Sequence, residues 1–399
     1  MRTIQGGVTA AKGFLAAGVR CGIKQQGRDL AVIHSQAECA AAGVFTTNAF
    51  KAASVLENIA LIESARGRTI VANSGNANAC TGERGRRDVA RIRELAAGLL
   101  GVPAQQVFNA STGIIGVPLP MDRVEEGIRA AVAALSGEGS DDAAAAIMTT
   151  DTRAKTTARE IDIDRTPVRM GGICKGAGMI CPNMATMLCF VTTDAAIDAE
   201  ALRGALVSAV EGSFNSLTVD GDMSTNDCVI ALANGESGCP PISAGTPEYR
   251  LFEQALGSVC ADLARAIALD GEGATKLVEV RVSGARSYAD AKKAAMAVAN
   301  SALVKTAVFG QDPNWGRVLC AVGRSGAHVE PERVSLWFGD VKIVQDGEPL
   351  GIDQAEARGP MLMKELTIAV DLGVGSATAS VLTCDFSYDY VKINAEYHT

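Results

Sequence analysis

The chain has 399 residues, 48% hydrophobic and 21% charged, with 42 glycines and only 4% aromatics. That is the balance of a globular protein with a sizeable core built on Ala, Val, Leu and Ile, not of a disordered or fibrous chain. A net charge of −8 leaves no basic excess to neutralise phosphates, so neither nucleic acid nor an anionic membrane surface is an expected partner.

Elements of both kinds alternate along the chain. Leu30–Ser35 and Gly67–Asn73 read as short buried strands bounded by turn residues. Helices are expected over Asp88–Leu100, Met121–Leu135 and Asp141–Met148, the last with Ser140 or Asp141 as its N-cap. Arg159–Met170 alternates apolar and polar residues around Asp164-Arg165-Thr166-Pro167, the pattern of a hairpin. The run TMLCFVTTD, starting at Thr186, reads as a buried strand. Asp198–Val210 and Pro247–Ala268 follow as amphipathic helices, and Ser287–Ser301 as an Ala-rich one. Lys276–Ser283 and Val334–Val344 are expected strands, and Leu366–Ala395 is expected to be mostly strand. No repeat, charge block or low-complexity linker interrupts the sequence. The expected fold is α+β, one body with a smaller lobe near the C-terminus.

The start, MRTIQGGVTAAKGF, lacks the apolar stretch of roughly 7–15 residues found in secretory signals. No segment reaches the roughly 18 apolar residues of a membrane span, so a cytoplasmic location is expected. Eleven cysteines are scattered from Cys21 to Cys384 without a C-x-x-C pair, and His34, His328 and His398 lie far apart. Reduced, packed thiols fit this pattern better than a metal site, and no metal is expected.

Chemistry concentrates in Gly171–Leu188, GGICKGAGMICPNMATML. Clustered glycines allow close backbone approach, and Pro182 stiffens the path to Thr186. A glycine-rich loop feeding a strand, with Thr186 as β-branched filler, accounts for the composition equally well. A phosphate loop fits poorly, because the spacing is not G-x-x-x-x-G-K-[ST] and a strand follows where a helix is needed.

KGAGMICPNMATML resembles the signature of the ornithine acetyltransferase family, the glutamate N-acetyltransferases of arginine biosynthesis. The resemblance extends through VFTTNAFKAASV (44–55), VANSGNANACTG (71–82), NASTGIIG (109–116), IMTTDT (147–152), SFNSLTVDGDMSTND (213–227), DGEGATK (270–276), VFGQDPNWGR (308–317) and INAEYHT (393–399), in family order over essentially the whole chain. Departures are Ser54 in place of a usual proline, Met223 in place of a usual threonine, and Glu396 and His398 in the last block.

The resemblance implies a layered αββα body and a precursor that cuts itself between Ala185 and Thr186. Residues 1–185 and 186–399 would form one globular unit, with two copies of each piece in a heterotetramer. Thr186 is then the nucleophile, and its freed α-amine, with an ordinary pKa of about 7.7–8.0, is the base. The family assigns the oxyanion hole to Thr112, through its hydroxyl or a backbone N–H, and Gly113. Lys175 suits the substrate α-carboxylate, Thr149 (or Thr150 beside it) a substrate contact, and Glu272 the ornithine ammonium; Asn394 and Thr399 bring the C-terminus into the site. Acetyl would pass from N-acetylornithine through Thr186 to glutamate, releasing ornithine and then N-acetylglutamate. No cofactor is implied, and acetyl-CoA as a further donor stays open. A self-cleaving hydrolase of similar fold, with water as acceptor, is the competing reading.

Overall fold

The computed structural model describes residues 1–181 and 187–396. In chain order its elements begin with β1 (Arg2–Ile4), β2 (Phe14–Val19), β3 (Leu30–Phe45), α1 (Ala53–Ile62), β4 (Arg66–Asn76), α2 (Gly82–Leu100), β5 (Val107–Ile114), α3 (Met121–Ala133) and α4 (Ser140–Ile147). β6 (Lys155–Ile163), β7 (Thr166–Lys175), β8 (Leu188–Thr193), α5 (Ala199–Glu211), β9 (Cys228–Ala233) and α6 (Pro247–Leu269) follow. The last part holds β10 (Leu277–Ala285), α7 (Tyr288–Ala299), α8 (Ala302–Phe309), α9 (Trp315–Gly323), β11 (Ser335–Phe338), β12 (Val341–Gln345), β13 (Glu348–Pro349), α10 (Gln354–Arg358), β14 (Glu365–Asp371), β15 (Ala377–Cys384) and α11 (Tyr388–Glu396).

Nine strands share one sheet in the order β1-β6-β7-β8-β9-β3-β4-β5, with β2 paired to β3. Side-chain alternation shows how that sheet is folded. Leu188 and Phe190 of β8 pack into a core with Ile33, Ile70, Ala72 and Phe108. Cys189 and Val191, on the opposite face of the same strand, pack with residues of α5 and α6. On the other half-sheet, Val32, Val71 and Val107 turn from the shared core toward α2 and α3. Period-two alternation thus buries both faces of each half, and the halves stack face to face with helices outside. The result is the four-layer αββα body that was expected. β3 serves both halves because it runs for 16 residues and carries an irregularity between His34 and Cys39.

A smaller lobe follows. Its six-stranded sheet, β13-β12-β11-β14-β10-β15, buries Val280, Leu336, Ile368 and Val370 against Ala294, Ala295 and Val298 of α7. No helix among the described residues is long and apolar enough to cross a membrane. All eleven cysteines are free thiols, with Cys174 and Cys189 buried.

Local signals explain most boundaries. The Asp198 side chain accepts the Ala201 N–H at 2.8 Å and starts α5, and Thr246 with Pro247 at the first helical position starts α6. Asp164 and Arg165 both take positive φ, joining β6 to β7 by a two-residue turn. Three expectations need correction. Gly139, not Ser140 or Asp141, caps α4, and it supplies no side-chain bond. Val334–Val344 is a hairpin, because the chain turns at Gly339 (φ +54) and Asp340 between β11 and β12. The end of Leu366–Ala395 is the helix α11, not strand.

Candidate active site

The C-terminal ends of β5 and β7 and the N-terminal ends of β8 and β9 meet where the two half-sheets face each other. Thr112 lies near the end of β5 and Lys175 ends β7, and the Lys175 ammonium donates to the Thr112 hydroxyl at 3.4 Å. Gly113 beside Thr112 has φ +131, and a Cβ there would lie 2.3 Å from the Gly75 carbonyl carbon. Only glycine lets β5 run this close to β4. A cavity of about 290 Å³ opens at this point. Thr112, Gly113, Thr149, Thr150, Lys175, Glu272 and Asn394 all line it. Residues that sequence reasoning could link only by family resemblance therefore converge on one site. Thr149 and Thr150 both line it.

A buried ionic network that the sequence reading missed sets the positions of these groups. The Asp151 carboxylate accepts the Thr149 N–H at 3.0 Å, the Gly176 N–H at 2.7 Å and the Lys155 ammonium at 2.6 Å. Lys155 also donates to Asp270 at 2.6 Å, and Asp270 accepts the Thr152 N–H at 3.1 Å. One cluster thereby fixes the loop of Thr149, the residue after Lys175, and the loop of Glu272. Burial alone would raise the Asp151 carboxyl, but Lys175, Lys155 and the Gly176 N–H hold it at about 2. Lys175 is 3% exposed. Burial lowers its pKa, while Asp151, Asp227 and Glu272 oppose that shift. A buried cation of this kind gains from an incoming carboxylate, which restores the solvation it has lost.

The lining also carries carboxylates. Glu272 donates its N–H to the Ala177 carbonyl at 2.8 Å and accepts from the Asn394 side chain at 2.9 Å. Asp220, Asp222 and Tyr390 line the same cavity and were not singled out from the sequence, though both aspartates lie inside the quoted block 213–227. A lysine and carboxylates lining one cavity suit a ligand carrying both an anionic and a cationic group. The C-terminal helix docks because Gly273 (φ +66) has no side chain: a Cβ would sit 2.4 Å from the Tyr390 nitrogen. Tyr390 stacks on Phe386 at 4.4 Å between centroids. Asn394 is thus held in the site, in contrast to the fraying usual at termini.

Ala185, Thr186 and Thr399 lie outside the described residues. On the N-terminal side of the first two, Met179 lines the cavity. On the other side, the Met187 N–H donates to Asp227 at 3.0 Å. Burial pushes the nearby Cys181 thiol up to about 11, which argues against a thiolate there. Among the described residues no group of three or more His, Cys, Asp or Glu side chains could hold a metal ion.

The ArgJ family model matches residues 15–399. The arginine biosynthesis bifunctional protein ArgJ of Symbiobacterium thermophilum is 55% identical over 402 residues, covering 100% of each chain. Its counterpart in Geobacter sulfurreducens is 54% identical over 391 residues, covering 97% of this chain and 99% of the other. The crystal structure of arginine biosynthesis bifunctional protein argJ from Bacillus halodurans aligns at 44% identity with a TM-score of 0.51. That alignment covers 98% of the solved chain but 52% of this one.

Proposed function

The chain belongs to the ArgJ family and is accordingly an acyltransferase of arginine biosynthesis, and on that premise we propose that it cuts itself before Thr186 and carries acetyl from N-acetylornithine to glutamate on the Thr186 hydroxyl. The observation that carries this reading is the convergence of Thr112, Gly113, Thr149, Lys175, Glu272 and Asn394 on one cavity, whose walls include Met179, seven residues before Thr186. The coverage of the Bacillus halodurans chain also supports it: a solved chain about half as long as this one is what a cut near the middle would produce.

In the first step the Thr186 hydroxyl adds to the Ala185 carbonyl, the acyl group moves from nitrogen to oxygen, and water releases the ester. A peptide carbonyl is a poor electrophile, so orientation must supply much of the rate; effective molarities of about 10⁵ M or more make such a step feasible. The cut frees the α-amine of Thr186, which takes the hydroxyl proton in later cycles. Lys175 holds the substrate α-carboxylate, and Glu272, with Asn394 fixing its oxygen, faces the ornithine ammonium. The Thr112 hydroxyl accepts from Lys175, so its own proton is free to donate to the oxyanion, with the Gly113 N–H as second donor. Ornithine leaves, glutamate takes its place, and the acetyl passes to its amine.

Both pieces remain in one fold after the cut. β7 lies before the cut and β8 after it, yet they pair from Met170↔Thr193 to Lys175↔Leu188. Breaking one peptide bond leaves these ladders and both cores intact. The test is acetyl transfer itself: purified protein given N-acetylornithine and glutamate should form N-acetylglutamate and ornithine in equal amounts. Release of free acetate in place of N-acetylglutamate would make the enzyme a hydrolase. Acetyl-CoA in place of N-acetylornithine decides whether it is a second donor, and native mass spectrometry tests the proposed pairing of two copies of each piece.

A further inference from the structure

One short stretch, Thr218–Cys228, touches the chain on both sides of the proposed cut. On the N-terminal side the Asp220 carboxylate accepts the Met179 N–H at 2.6 Å on one oxygen and the Ile180 N–H at 2.9 Å on the other. The Ile180 carbonyl accepts from the Val219 N–H at 2.8 Å and the Thr218 hydroxyl at 2.9 Å. On the C-terminal side the Met187 N–H donates to one Asp227 oxygen at 3.0 Å, and the Met187 carbonyl accepts the Cys228 N–H at 3.1 Å. The second Asp227 oxygen is buried with no hydrogen bond to a described residue, and the residue is 0% exposed. Asn226, between them, donates to the carbonyls of Ala77 at 2.6 Å and Ser111 at 2.7 Å. The Ser111 peptide carries the Thr112 N–H, so the same turn also sets the oxyanion strand.

We propose that Asp220 and Asp227 are positioning residues that clamp the chain on the two sides of the cut, Asp220 through Met179 and Ile180 and Asp227 through Met187. The proposal rests on the self-cleavage reading above. It follows from chain geometry: Ile180 on one side of the cut and Met187 on the other are both tied to one turn, and fixing both flanks aids an intramolecular step that depends on orientation. The two aspartates hold in different ways. Asp220 uses both oxygens on backbone amides, so an amide side chain there would set an NH₂ against an N–H. Asp227 holds the Met187 N–H on one oxygen, so Asn at 227 can keep that bond through its own carbonyl oxygen, whereas Leu cannot.

Self-cleavage of newly made full chain, followed by intact mass and denaturing electrophoresis, separates the possibilities. Loss of a buried hydrogen bond to the cut segment should slow cleavage by about tenfold or more in D220N and D227L. D227N should cut at least about tenfold faster than D227L, and D220E faster than D220N. Thermal denaturation of each variant shows whether it folds; should D220N be insoluble, the D227N and D227L contrast decides. D220N and D227L cutting at the wild-type rate would overturn the clamp. D227N as slow as D227L would mean that Asp227 acts through its proton, which would overturn the positioning role. A wild type that stays whole would instead sink the self-cleavage reading, and the clamp with it.

Discussion

Gly178→Ala tests the placement of Glu272 without replacing that carboxylate. A Cβ built on Gly178 lies 2.4 Å from the Glu272 carboxyl carbon and within 2.6 Å of both its oxygens. Gly178 itself has no positive-φ requirement, so the substitution acts through space and not through backbone strain. An ordinary contact needs about 3.5 Å or more, so the carboxylate must retreat by about 1 Å. Glu272 can yield, because only its far end meets the new methyl, but it must leave the oxygen that Asn394 now holds at 2.9 Å. A misplacement of about 1 Å in a substrate-positioning group can cost about 10²-fold, or about 2.7 kcal/mol of transition-state stabilisation. Steady-state kinetics with N-acetylornithine should therefore show kcat/KM down by about 10²-fold, with thermal stability little changed. Wild-type kcat/KM in a folded Gly178→Ala protein would refute the assignment of Glu272 to the substrate.

Further outcomes follow from the same geometry. Thr112→Val keeps the shape but removes the hydroxyl that accepts from Lys175; kcat should fall by roughly 10²–10³ with KM nearly constant, and a fall below tenfold would assign the oxyanion to backbone donors alone. Asn226→Asp loses both bonds to Ala77 and Ser111 and should lower kcat by more than tenfold, read in the same assay with melting temperature as control. His34 is buried, with its Nδ1 2.9 Å from the Thr69 hydroxyl; burial, helped by Arg68, lowers its pKa from 6.5 to about 4. The unfolded chain takes up a proton below pH 6.5 while the folded chain resists, so stability is full above pH 6.5 and falls as pH drops toward 4. Urea midpoints across that range should fall less in His34→Gln than in wild type; equal slopes would remove His34 as the cause.

Local chemistry in the sequence carried much of the fold. The caps at Asp198 and Thr246 and the turn at Asp164-Arg165 act within a few residues, so spacing reveals them. β3 was read only to Ser35, because QAECAAAG has little β-propensity; pairing of Ala40–Phe45 with β9 holds that stretch extended. α11 was missed for the converse reason. Its start at Tyr388 depends on docking over Gly273, and the Phe386 and Tyr390 aromatics read locally as strand. In the site, Lys175, Thr112 and Glu272 were legible through the family blocks. The Asp151–Lys155–Asp270 network was not, because its defining bond joins residues 115 apart in sequence. Asp151 and Asp270 do stand inside the blocks 147–152 and 270–276, but nothing in their spacing names a partner.

The acyl carrier itself gives the most direct test. Purified protein incubated with N-acetylornithine alone, then denatured and weighed intact, should show pieces 1–185 and 186–399, with one acetyl group on the second, mapped by fragmentation to Thr186. Thr186→Ala should remain a single chain without acetyl or activity. Full turnover by an uncut chain, or acetyl found on any residue other than Thr186, would contradict the account.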